Sequence, residues 1–151
     1  MKKTIFILSS FFLICCSSDN SNETQFETIT AINQINGIWK LEGKYNNGSE
    51  TNVATSCDLE YGKFTFTSNT STAIEKRGFQ DTNCTETTYT YSDYNIVEGQ
   101  LKLVRNNFVY KYYLSKAGNK MWLTKYYTQA PGLPVEIVQT NEQVKNYYTL
   151  Q

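Results

Sequence analysis

Large apolar and aromatic side chains recur at every second position through much of the chain. Phe64 and Phe66 form one such pair, Tyr89 and Tyr91 a second, Leu101 and Leu103 a third. Phe108, Tyr110, Tyr112 and Leu114 extend the alternation over four steps, and Met121, Leu123 and Tyr127 share a face of the next run. A period of two is that of a strand, whose successive side chains point to opposite faces. Turn formers cluster at the breaks: Asn46-Asn47-Gly48, Ser68-Asn69-Thr70, Glu98-Gly99, Asn106-Asn107 and Ala117-Gly118-Asn119. They delimit strands over 38–45, 59–67, 72–80, 85–96, 100–105, 108–115 and 121–127, with a last strand holding Tyr147 and Tyr148 and a short one over 135–138. Ile29, Ile32 and Ile35 sit three apart before Gly37, as in a short helix or turn. About eight strands with short connections and no crossover helices predict an all-β fold, an antiparallel up-and-down barrel, with a sandwich as the other arrangement.

Apolar content selects one face as the interior. It places Phe64, Phe66, Leu101, Leu103, Phe108, Tyr110, Tyr112, Met121 and Leu123 inward, with Trp39 plugging one end. So many large side chains push a small barrel toward a filled interior, leaving at most a small or shallow cavity at the other end. Phe64, Phe66, Tyr110 and Tyr112 are the candidate ligand-lining residues. Tyr112-Tyr113 and Tyr126-Tyr127 are neighbours, so one tyrosine of each pair is expected on the outer face.

A different pattern opens the chain. Lys2 and Lys3 precede residues 5–14, which are apolar apart from Ser9 and Ser10. This is the charged start and apolar centre of a secretory signal, too short to cross a bilayer. It ends in Leu13-Ile14-Cys15-Cys16, which resembles the lipobox of bacterial lipoproteins, with Leu13 three residues before Cys16. A frame with Cys15 as the lipidated residue matches less well. The resemblance implies that residues 1–15 are a signal peptide and that Cys16 becomes the acylated N-terminus. Residues 16–28 then form a flexible tether, and 29–151 the barrel domain. Several acyl chains on one cysteine, palmitate among them, would hold the protein permanently at a membrane, where a single chain is marginal. The expected location is the cell envelope, on the outer membrane.

Charge narrows the partners. Lys2 and Lys3 leave with the signal, so twelve basic residues face fourteen acidic ones. That balance disfavours nucleic acid. Cys57 and Cys84 remain, and in an oxidising envelope an even pair reads as a disulfide. A plain meander puts one strand between their strands, a span of ~9.6 Å, so the bridge is expected to join loops that lean across the rim. With no histidine and no C-x-x-C spacing, a metal site is disfavoured. No G-x-S-x-G and no glycine-rich phosphate loop occurs. Asp58 and Glu60 are the one candidate carboxylate dyad, sharing a face if 59–67 is a strand, and more simply read as rim charges. No cofactor and no catalysis are expected.

Gly37-Ile38-Trp39-Lys40-Leu41 opens the first strand. This resembles the G-x-W signature of lipocalins, and more specifically the lipocalin-like domains of Bacteroidetes lipoproteins. There G-x-W-K-L is followed by a cysteine leading into a Phe- and Thr-rich strand, a second cysteine, and Tyr-rich hairpins. Cys57, Phe64, Phe66, Cys84 and the closing Asn146-Tyr147-Tyr148-Thr149-Leu150 match that order. The resemblance implies a lipocalin-like barrel closed by Gly37 and Trp39. Its expected function is a non-catalytic binding module for a small apolar or amphipathic ligand. The alternative is a structural or interaction lipoprotein whose Tyr-rich outer surface binds a protein or glycan.

Overall fold

The alternating runs become ten strands in a computed structural model that describes residues 25–151 apart from 82, 140 and 141. Cys16, the signal and most of the tether lie outside the described residues. The strands are β1 (Gly37–Asn46), β2 (Lys63–Thr67), β3 (Thr72–Phe79), β4 (Thr85–Tyr91), β5 (Asp93–Val97), β6 (Gln100–Arg105), β7 (Phe108–Ala117), β8 (Lys120–Gln129), β9 (Val135–Ile137) and β10 (Val144–Leu150). Every pairing is antiparallel, in the order β4-β3-β2-β1-β10-β8-β7-β6-β5, with β9 beside the far half of β8.

The two ends of that order are consecutive in sequence, separated by Ser92 alone. The expected strand over 85–96 is therefore one segment bent in the middle. Its first half pairs with β3 and its second with β6. The Ser92 amide donates to the Val104 carbonyl at 2.9 Å, and the Tyr94 amide to Ser71 at 3.0 Å. The bend brings the sheet almost back onto itself, and the result is a nearly closed antiparallel barrel.

One end is filled. A 3-10 turn, Ile32–Ile35, lies across it, and the buried Trp39 indole donates to the Ile35 carbonyl at 2.8 Å. Phe64, Phe66, Tyr94, Leu101, Leu103, Met121 and Leu123 pack around Trp39, all nearly fully buried. Gly37 is required here: a β-carbon on it would lie 2.8 Å from the Leu150 side chain, and its φ of +127° disfavours any other residue. Phe108 departs from expectation. It is 36% exposed at the rim, stacked on Tyr110, because the strand has run past the covered interior. The chain is docked from Phe26 onward, within the stretch read as tether. Phe26 meets Trp122 edge-on, and the Glu27 carboxylate accepts from Lys116 at 2.7 Å and from the Gly118 amide at 2.6 Å.

The expected strand over 59–67 starts late, because residues Ser56–Tyr61 form a helix, α1. Thr55 Oγ1 accepts from the Asp58 amide at 3.1 Å, and Asp58 Oδ2 accepts from the Thr55 amide at 2.9 Å. This reciprocal cap satisfies donors that a helix start leaves open. The helix also resolves the spacing of the cysteines. It packs on β3 and carries Cys57 to a Cα–Cα distance of 5.2 Å from Cys84, joined as a disulfide. The close approach needs Gly78, since a β-carbon there would sit 2.0 Å from the Cys57 carbonyl oxygen. Gly78→Ala should cost about 2–3 kcal/mol by overpacking, a fall in melting temperature of roughly 6–15 °C. An unchanged melting curve would show that α1 does not rest on β3.

Candidate functional site

β1 and β10 run from the filled end, where Trp39 faces Leu150, to the far end, where Asn46 faces Val144. The far half holds a cavity of about 510 Å³. Its location opposite Trp39 follows the expectation from sequence; its size exceeds it. Leu41, Val53, Phe64, Val138 and Val144 give it apolar walls, while Lys44, Asp58, Glu75, Arg77 and Lys125 bring charge into it.

The charge has an ordered centre. β3 alternates Ala73, Glu75 and Arg77 on one face, and Glu75 is only 5% exposed. A carboxylate so deep requires partners. Arg77 supplies two of them, Nε to Oε1 at 2.6 Å and Nη2 to Oε2 at 2.9 Å. Tyr91 on β4 donates its hydroxyl to Oε2 at 2.6 Å. Burial, reinforced by the Glu75 charge, pushes the Tyr91 hydroxyl far above the usual phenol range. The same two causes raise Tyr112 and Tyr148. These groups are neutral phenols at physiological pH. Burial disfavours the Arg77 charge, but Glu75 outweighs it, and the guanidinium stays protonated.

A second pair stands closer to the opening. Lys44 from β1 bonds Asp58 of α1, so the helix cap is also an ion pair. Burial alone would raise the Asp58 carboxyl, but the bonds from Lys44 and Thr55 prevail and hold it below the usual carboxylate range. The dyad with Glu60 does not form. On a helix, positions two apart point ~200° apart, and Asp58 turns in while Glu60 stays exposed.

Of the four candidate lining residues, Phe64 and Tyr112 border the cavity. Phe66 lies deeper, against Phe64 and Tyr94. Tyr110 stands by the seam between β4 and β6, with Tyr91 of β4 edge-on to it at 5.9 Å. There the Arg105 guanidinium covers Tyr89 at 4.4 Å and donates to the Tyr110 hydroxyl at 3.2 Å. Glu75 and Arg77 were not among the candidates. Their spacing of two was the available signal, but the opposite face of β3 offers the apolar Ile74, which is 38% exposed.

On the outside, Tyr113 is half exposed and stacks on Tyr126 with ring centroids 4.2 Å apart. Tyr112 is buried, as expected for that pair. Tyr126 and Tyr127 are not split across the sheet. A bulge shifts the register between Lys111–Tyr127 and Tyr112–Lys125, so Tyr126 stacks on Tyr113 while the Tyr127 ring receives Lys111 at 4.5 Å.

No family model, no curated protein and no solved structure matches this chain.

The depressed Asp58 carboxyl gives a pH dependence with a definite sign. Its contribution is fully present above the unfolded value of about 4 and is lost as pH falls through the lower folded value. Asp58→Asn should therefore destabilise by about 1–2 kcal/mol at pH 7. The gap to the parent should shrink as pH drops below about 4. Chemical denaturation at neutral and acid pH checks this, and a gap of the same size at both would contradict it.

Proposed function

We propose that this chain is a lipid-anchored envelope lipoprotein of the lipocalin-like type, whose barrel is a non-catalytic binding module for a small amphipathic ligand. The observation that carries the reading is the cavity of about 510 Å³ at one end of the barrel. Ligand pockets commonly span ~300–1,000 Å³ and combine apolar walls with a few convergent polar groups. The division of the interior supports it too: one end is packed around Trp39, and the other is left open to a ligand. The anchor rests on the apolar 5–14 run and on Cys16. Both Glu75 oxygens are engaged by Arg77 and Tyr91, which favours a structural carboxylate over a general base.

A second reading, a protein- or glycan-binding lipoprotein, draws on the half-exposed Tyr113–Tyr126 stack. Aromatic side chains of this kind are enriched at interfaces.

Native mass spectrometry of the protein extracted from its own envelope separates the two. A co-purifying small molecule is the expected outcome; bare protein under conditions that preserve non-covalent complexes would favour the surface reading. The anchor is tested by fractionation. Cys16→Ser should leave the chain unprocessed or release it from membranes, and unchanged partitioning into extracted lipid would remove the lipoprotein assignment.

A further inference from the structure

We propose that the cavity selects carboxylates: its ligand is a small alkyl carboxylate whose anionic head lies on Arg77 and Lys125 and whose chain lies along Leu41, Phe64 and Val144. The proposal rests on the barrel being a binding module and adds the chemistry of the ligand.

The ion pairs of the cavity leave cation over. Lys44 is taken by Asp58, and Lys76 reaches outward to Glu86. Glu75 is saturated: Arg77 engages both of its oxygens and Tyr91 adds a third donor. Arg77 itself is not saturated. A guanidinium carries five N–H groups, only Nε and Nη2 are committed to Glu75, and the side chain is 43% exposed. Lys125 borders the same cavity, half-buried, and has no ion-pair partner among the described residues. The remaining acid, Glu142, is exposed at the rim, where water screens it.

The uncommitted groups are therefore donors. Tyr148 adds a hydroxyl held in the neutral form, and Tyr112 a second one shared with Tyr91. A cationic ligand would find no free carboxylate in the interior and would meet Arg77 and Lys125. A neutral apolar ligand would leave half-buried charges without acceptors, at a cost. A carboxylate supplies acceptors matched to an arginine edge. The apolar walls account for the rest of the molecule.

Calorimetry on the mature chain, residues 16–151 made without the leader and carrying Cys16→Ser, tests this with four probes: decanoate, decan-1-ol, decyltrimethylammonium and inorganic phosphate. Decanoate should bind about ten- to hundredfold more tightly than decanol, the range of a charge-assisted hydrogen bond. Shortening to octanoate should weaken binding about fourfold per methylene removed. Lys125→Gln, and Lys125→Met which keeps the apolar stem, should cut decanoate binding about tenfold without weakening decanol. Equal affinity for decanoate and decanol, or no effect of either Lys125 variant, overturns the carboxylate assignment while leaving the binding module standing. Binding by neither decanoate, decanol nor the ammonium overturns both. Phosphate binding as tightly as decanoate would mark a bare anion site and would also overturn the proposal.

Discussion

A carboxylate buried inside a small barrel is the constraint that organises this molecule. Glu75 is 5% exposed. Taking an unpaired charge out of water costs several kcal/mol even after relaxation. Arg77 meets that demand from two residues along the same strand, and Tyr91 from the neighbouring strand. Once these groups face inward, the interior above them cannot be closed by apolar side chains alone. A half-filled barrel follows. Below Glu75, Phe66, Leu101, Leu103, Met121 and Leu123 pack on Trp39; Phe64 lies level with it, and above it space remains beside Arg77.

Two other devices keep that arrangement in place. At Ser92 one segment leaves β3 and joins β6, which brings the sheet nearly to closure without an eleventh strand. The seam opened by the bend is filled by Arg105, stacked on Tyr89 and bonded to Tyr110. At the cavity end, α1 is pinned to β3 through the close approach at Gly78 and the Cys57–Cys84 bridge. Its cap residue Asp58 holds Lys44 from β1. Helix, bridge and ion pair together shape one wall of the cavity, so loosening any of them is felt where a ligand would sit.

Much of the barrel was legible from period-two alternation, and the reason is local. Phe64, Phe66, Leu101, Leu103, Tyr112, Met121 and Leu123 all point inward because a strand has two faces and apolar content chooses between them. The same rule selected no face on β3, where the inward face carries Glu75 and Arg77 and the outward one Ile74. Alternation was intact there, but with Ala73 on one face and Ile74 on the other, apolar content did not choose between them. α1 was missed although Thr55 and Asp58 spell its cap and Leu59 and Tyr61 fall out of phase with Phe64 and Phe66, because the whole stretch 59–67 was read as one strand. The bulge near Tyr126 has no sequence signal apart from the tyrosine doublet itself. The place of the cavity was legible and its charged lining was not, because Glu75 and Arg77 were assigned to no interior.

The most direct test of this account is a double-mutant cycle on Glu75 and Arg77, read by chemical denaturation of the parent, Glu75→Ala, Arg77→Ala and the double variant. If the buried pair organises the interior, the double variant should lose less than the sum of the singles, with a coupling of about 1–3 kcal/mol. Additive losses, with coupling near the ~0–1 kcal/mol of exposed pairs, would contradict it.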